Sequence, residues 1–355
     1  MKKIVSFVLS LAFAGSTFAQ MSGYSSSSYS EGTALGSNET LTADGIALGN
    51  AVKLRGYIDT RLSLVSVDKD ANSTVTSDKE DISAGADLDF LIDLSPVTAE
   101  VHLNVSEDNG SDLLEQAFGR YSFNQDLHLT FGRQETVLGY EGDESTDLFA
   151  VTRGFTNFDV DHDGNSSTPM HNVKASRRNN YVDGIRLSYN NGLFGVVFGI
   201  HDTYGYGNNS DLDDGMAIDL AASVMFFPGL EAQLGFANEN GSGDDDTQAV
   251  NGWIEWTPGD LTLAMEFDSI SYDNNTDLFD FMLLGNYRFS DFFAATLRYS
   301  HMNFDSGSAD FDSNKFTIAA LLSITQNFDI NFEYSHTARD SADMNEFYVQ
   351  GLITY

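Results

Sequence analysis

The 355-residue chain has no cysteine, which excludes disulfides and thiolate metal centres at once. Basic residues are scarce: 18 Lys and Arg stand against 53 Asp and Glu, a formal charge of −35. That balance rules against nucleic acid as a partner and favours cations. Long apolar runs are lacking too. The run from Ile4 to Phe13, behind Lys2 and Lys3, is about half the roughly twenty residues that a spanning helix needs. It leads into the small-x-small pattern Thr17-Phe18-Ala19, so residues 1–19 read as a secretory signal peptide removed before Gln20. No later segment approaches that length without charge, so the mature chain is expected to have no helical membrane span.

What the chain does have is two-residue alternation. In Phe347-Tyr348-Val349-Gln350-Gly351-Leu352-Ile353-Thr354-Tyr355, the residues Phe347, Val349, Gly351, Ile353 and Tyr355 share one face of an extended strand. Glu346, Tyr348, Gln350 and Thr354 take the other. Apolar groups toward lipid and polar groups toward a wet interior are the mark of a transmembrane β-barrel strand. From Val52 onward about sixteen such segments recur, each of about ten to thirteen residues, a length suited to tilted crossing strands. Residues 20–51, rich in Ser and Gly, read as a flexible periplasmic segment.

The connectors alternate between short and long. The short ones fall at residues 95–96, 124–126, 191–192, 228–229, 258–260, 290–291 and 326–327, several of them known turn dipeptides. The long ones are acidic: 68–78, 107–112, 138–180, 205–214, 240–247, 273–277, 305–313 and 338–343. Short periplasmic turns and long extracellular loops belong to an all-β chain folded as a transmembrane antiparallel β-barrel, residues 52–355 here. Aromatic residues support this. Phe123, Tyr189, Phe226, Trp256, Phe289, Phe293, Phe328 and Tyr355 fall outward beside short turns, while Tyr181, Phe279 and Phe347 fall outward at the far strand ends. Two such belts are expected at the two interfaces of a membrane.

Setting Leu54, Ile58, Leu62 and Leu64 outward turns Lys53, Arg55, Tyr57, Asp59, Arg61 and Ser63 inward. The same sorting places Arg120, Arg186, Arg288, Arg298 and Lys315 inside, with Asp87, Asp89, Glu100, Asp219, Glu255, Glu266, Glu333 and Glu346 among the acids. Unpaired charges cost several kcal/mol each in a dry core, so the expected lumen holds water. The third long loop, residues 138–180, is several times longer than its neighbours and carries Glu141, Asp143, Glu144 and Asp147. Folded inward, those carboxylates would face Arg55, Arg61, Arg120, Arg186 and Arg298 across a charged constriction that favours small polar solutes and cations.

These segments resemble the Gram-negative outer-membrane porins. Val52-Lys53-Leu54-Arg55-Gly56-Tyr57-Ile58-Asp59 is similar to their opening strand, Leu129-Thr130-Phe131-Gly132-Arg133-Gln134 to the strand before their constriction loop, and Arg178 through Tyr189 to the strand after it. Gly139-Tyr140-Glu141 lies closer to the OmpL-like branch than to the trimeric general diffusion porins. The terminal Tyr355 stands where those porins usually have Phe. The resemblance implies an outer-membrane location in a Gram-negative-type bacterium, contact with membrane lipid, passive diffusion of ions and small hydrophilic solutes, and, in the general branch, a homotrimer with its third loop folded inward.

No resident cofactor is expected apart from a candidate structural calcium ion. Asp159-Val160-Asp161-His162-Asp163-Gly164-Asn165 starts like a calcium-binding loop, offering Asp159, Asp161, Asp163 and Asn165, although Met170 stands where a closing Glu would be needed. The seven histidines are scattered, with no Ser or Asp spacing that marks a nucleophile, so no enzyme is expected. Two alternatives to diffusion are a substrate-specific, sugar-type channel and a structural or adhesive surface barrel. The sugar channel would want a row of inward rings, and only Tyr57, Phe118, Trp253 and Tyr348 are offered, on separate strands.

Overall fold

The computed structural model describes residues 45–69, 79–106, 114–142, 144–155, 181–204, 215–240, 246–272, 276–305, 310–339 and 342–355. A two-residue strand, β1 (Ile46–Ala47), precedes sixteen longer ones. They are β2 (Val52–Lys69), β3 (Lys79–Leu94), β4 (Val97–Ser106), β5 (Leu114–Ser122), β6 (Leu127–Glu135), β7 (Tyr181–Asn190), β8 (Phe194–His201) and β9 (Met216–Phe227) in the first half. The second half holds β10 (Leu230–Asn240), β11 (Thr247–Trp256), β12 (Leu261–Tyr272), β13 (Thr276–Ser290), β14 (Phe293–Asp305), β15 (Asp310–Thr325), β16 (Phe328–Arg339) and β17 (Ala342–Thr354). Each of the sixteen pairs antiparallel with its neighbours in sequence, and β17 returns to pair with β2 from Tyr57↔Thr354 to Lys69↔Ala342. The sheet is a closed barrel. In hydrocarbon no water satisfies a bare backbone edge, so closure is the condition for strands to cross at all.

The inward and outward faces follow the alternation. On β14 the outward Leu297 and Tyr299 are exposed, whereas Ala294, Thr296, Arg298, Ser300 and Met302 are buried. Phe123, Tyr189, Phe226, Trp256 and Phe289 stand exposed beside the short turns, and Phe293 stacks on Phe289 with centroids 5.1 Å apart. Tyr181 departs from the outward set, because Arg133 lies over its ring at 5.7 Å and its hydroxyl is buried.

Strand starts agree with the alternation to within a residue or two, except that β15 begins at Asp310 rather than near Asn314. The ladders of the second half also run further into the acidic side than expected. Tyr272 pairs with Thr276, Asp305 with Asp310 and Ala338 with Asp343, leaving only residues 273–275, 306–309 and 340–341 between strands. Charged side chains do not end a ladder once it has passed beyond the membrane, since the backbone pairing is indifferent to them.

Seam geometry explains β1. Strand β17 ends opposite Tyr57, so the start of β2 would carry a bare edge; the chain turns back at Gly49 and sets Ile46 and Ala47 against Leu54 and Lys53. Residues 45–50 of the expected flexible segment thus cover this edge, and residues 1–44 lie outside the described residues. At the seam, Gly56 exchanges two backbone hydrogen bonds of 3.0 Å with Tyr355, whose hydroxyl donates to the Asp87 carbonyl at 3.0 Å. A Cβ on Gly56 would lie 2.2 Å from that same carbonyl oxygen. Gly56→Ala is therefore expected to cost about 1–3 kcal/mol, as backbone strain of this kind does. The check is heat-modifiable gel migration, which should shift to a lower temperature.

Candidate functional site

The connector after β6 enters the barrel and crosses it. Val137 and Leu138 lie against inner alanines, Ala217, Ala221, Ala237 and Ala249, together with Ile270, Leu278 and Phe304. Gly235 makes the room, because a Cβ there would come 2.2 Å from a Leu138 methyl carbon. Gln233 Nε2 donates to the Val137 carbonyl at 2.8 Å, and Thr136 Oγ1 donates to the Tyr204 hydroxyl at 2.7 Å. This side of the interior is apolar, where the sorting by charge led to the expectation of a charged, hydrated lining; small inner residues on β9 to β11 leave space which apolar loop residues fill.

Gly139, at φ +121°, then turns the chain so that successive amides meet wall acceptors. Its N–H donates to Asn251 Oδ1 at 3.0 Å, and that of Tyr140 to Glu266 Oε1 at 2.8 Å. The Tyr140 ring is fully buried, 5.6 Å from Trp253 and 6.1 Å from Phe149 between centroids, and its hydroxyl donates to Glu255 at 2.7 Å. Burial, and then the neighbouring Glu255, push this phenol well above its usual range, so it stays a neutral donor.

The strongest tie is Arg298. Almost fully buried, it reaches Glu141 Oε1 at 2.5 Å and the Thr152 carbonyl at 2.7 Å. Glu141 accepts the Gly154 amide at 2.6 Å through its other oxygen, which folds the loop back on itself. Thr152 is gripped from three strands: its amide and hydroxyl donate to Glu333 at 2.7 and 2.5 Å, and Lys315 Nζ donates to its Oγ1 at 3.0 Å. Thr296 donates to the Phe149 carbonyl, and Ala150 rests against Ala294, Ala319 and Leu321. On the far wall, Ser145 Oγ donates to Asp59 Oδ2 at 2.7 Å, and Glu144 Oε1 lies 3.7 Å from His102 Nδ1.

Of the five inner arginines expected to face loop carboxylates, Arg298 is brought to one of the described ones, Glu141. Arg55 pairs with Asp89 at 2.9 Å, and Arg61 with Asp59 at 2.9 Å. Arg186 pairs with Asp219 at 3.1 Å. Arg120 lies over the Phe118 ring at 5.2 Å and donates to Thr130 at 3.3 Å. Wall groups engage these guanidinium groups: an acid across the ladder for Arg55, one two residues away for Arg61, one two strands on for Arg186, and a ring and a hydroxyl for Arg120. Glu144 meets His102 instead, and Asp147 closes a single 3-10 turn, Ser145–Asp147, with its amide on the Glu144 carbonyl. Asp143, and with it Asp159, Asp161, Asp163 and Asn165, lie outside the described residues. Thr152, Asn251 and His102 were not singled out from the sequence; the latter two sit at inward positions of their strands, a signal that was there to use.

No family model matches the sequence, and no curated protein does either. Solved structures do. The outer membrane channel DcaP of Acinetobacter baumannii superposes with a TM-score of 0.63 and 14% identity, covering 88% of this chain and 100% of that one. The anion-selective porin from Comamonas acidovorans gives 0.61 and 14%, covering 86% and 99%. OmpT, an outer membrane protein of Vibrio cholerae in its trimer form, gives 0.56 and 15%, covering 86% and 100%. The chain has the porin-type outer-membrane β-barrel fold. A porin-type barrel with this outward apolar band sits in the outer membrane of a Gram-negative bacterium.

Within this porin-type barrel, the Arg298 and Glu141 pair is buried, so deleting one partner strands the other charge. Arg298→Met is expected to cost about 3–5 kcal/mol. Thermal unfolding of the detergent-solubilised protein measures it, and adding Glu141→Gln to the variant should restore part of the loss.

Proposed function

We propose that the protein is a passive diffusion porin, a water-filled channel for ions and small hydrophilic solutes that prefers cations and is narrowed by the loop of residues 138–180. The observation that carries this reading is the inward loop itself, held to strands β10 to β16 on one side and to Asp59 and His102 on the other. A connector anchored across a barrel of sixteen strands reduces a bore that would otherwise be wide. Charged groups of both signs remain half-buried on the wall, Arg61 and Asp59 among them, and such a lining suits polar solutes over apolar ones. The cation preference is drawn from the formal charge of −35. One fold-level neighbour is described as anion-selective, so in this reading selectivity belongs to wall charges and not to the barrel as such.

A sugar-type channel finds less support. Trp253 is covered by Tyr140, Phe118 is covered by Arg120, Tyr57 is buried, and Tyr348 is turned to Glu346 at 2.6 Å, which leaves no open row of rings among the described residues for sugars to stack along. Catalysis finds less still, because each of the five described histidines is engaged by a neighbouring wall residue: His102 by Glu100, His128 by Ser122, His201 by Asp219, His301 by Asn314 and His336 by Asn345. For the assembly we carry forward a homotrimer, a form in which one neighbour's structure is described.

Planar-bilayer recordings test the function. The account expects a reversal potential of cation sign in a salt gradient, and a conductance that rises when residues 138–180 are replaced by a short turn. A reversal potential of anion sign would overturn the selectivity, and an unchanged conductance would overturn the constriction. Unheated protein migrating at three times the mass of the heated chain reads the trimer directly.

A further inference from the structure

The tip of the interior loop meets the wall at a place where acids outnumber their partners. Strand β3 brings Asp87 and Asp89, β4 brings Glu100 and His102, β5 brings Glu115, and the loop brings Glu144. Asp89 takes Arg55 at 2.9 Å and His102 at 3.1 Å, while Glu100 takes the other nitrogen of His102 at 3.0 Å. Asp87 is different. It is 0% exposed, and neither of its carboxylate oxygens meets a hydrogen-bond donor among the described residues. What it meets are two further carboxylates: ligand oxygens of Asp87, Glu115 and Glu144 all lie within 4.8 Å of one another.

Glu115 is there because of a defect in the ladder. His102 pairs with Gln116 and Leu103 with Leu114, so Glu115 is the extra residue of a bulge. Strict alternation would send it to lipid when Gln116 points inward. The bulge lets both turn to the interior, which is what such a bulge does for a side chain. Arg133 Nε donates to the Glu115 carbonyl at 3.0 Å and holds the bulge.

We propose that Asp87, Glu115 and Glu144 form a calcium site that fastens the loop tip to the barrel wall. The donor set is oxygen only, which suits a hard cation. Two oxygens each about 2.3–2.6 Å from one calcium ion stand at most about 5 Å apart, the spacing these three carboxylates show. Zinc would look for imidazole or thiolate, and both nitrogens of the neighbouring His102 already face carboxylates, Nδ1 those of Asp89 and Glu144 and Nε2 that of Glu100. Like charges on a buried Asp87 and the half-buried Glu115 and Glu144 repel unless a cation stands between them. A divalent ion leaves the trio with one negative charge, and it joins β3, β5 and the loop through a single centre.

The test uses the full chain in detergent, stripped with chelator, so its readout is independent of whether the barrel conducts. Calcium chloride titrated in a calorimeter should show one site per chain that outcompetes magnesium. Terbium should luminesce on tyrosine excitation, since Tyr57 and Tyr181 are the electrostatic neighbours of these carboxylates. Asp87→Asn and Glu144→Gln should each weaken calcium binding at least tenfold while keeping heat-modifiable migration, and Asp161→Asn should leave it unchanged. The wild-type melting temperature should rise with calcium. A wild-type chain that binds no calcium would overturn the proposal, as would Asp87→Asn and Glu144→Gln variants that bind like wild type, or loss of binding in Asp161→Asn alone.

Discussion

The pairing of β17 with β2 is the constraint on which everything else in the molecule depends. A strand edge in hydrocarbon leaves N–H and C=O groups with nothing to bond, and each such group costs several kcal/mol. Sixteen strands that satisfy this requirement enclose more space than their own side chains fill. The connector after β6 occupies part of that space, and the described inner wall is built to receive it. Alanines and Gly235 yield room on one side, and Asn251, Glu266, Arg298 and Glu333 offer bonding groups along its path.

The acid excess acquires an architectural meaning from this. A loop brought indoors carries backbone N–H groups that have lost water, and each needs an acceptor. Ionised carboxylates are acceptors only. Glu266 takes the amide of Tyr140, Glu333 that of Thr152, Glu141 that of Gly154, and Glu239 that of Tyr204, at 2.6 to 2.8 Å. The same acid excess that motivates the proposed cation preference therefore also holds its loops. Where donors run short, at both oxygens of Asp87 and one of Glu115, the wall is left with polar groups to satisfy.

Strands were legible in the sequence because two-residue alternation is a local property: the face carrying Leu54, Ile58 and Leu62 can be read without knowing any partner. Turn dipeptides such as Asn191-Gly192 and Pro228-Gly229 marked the short connectors for the same reason. The loop's entry was anticipated from its length, its carboxylates and the porin resemblance, with Arg298 and Glu141 among the residues expected to meet, but which arginine would take which carboxylate was not. The pairing of Arg298 with Glu141 spans 157 residues of sequence, and nothing local distinguishes Arg298 from Arg55, which a wall acid on the adjacent strand claims first. The bulge at Glu115 was invisible because it resides in a register between strands, which alternation along a single strand does not record. The apolar cluster had a readable signal in Ala217, Ala221, Ala237 and Ala249, small residues at inward positions.

Residues 136–142 and 144–155 are fixed inside the barrel against its wall. A chain without native cysteine allows a clean measurement of this, with Ala150→Cys on the loop and Ala319→Cys on β15, neighbours in one buried cluster. Under mild oxidation of the membrane-embedded protein, the account predicts an intramolecular disulfide in nearly every chain and protection of the cysteine at 150 from bulky, membrane-impermeant thiol reagents. Failure of the pair to cross-link, together with ready labelling of that cysteine on intact cells, would contradict it.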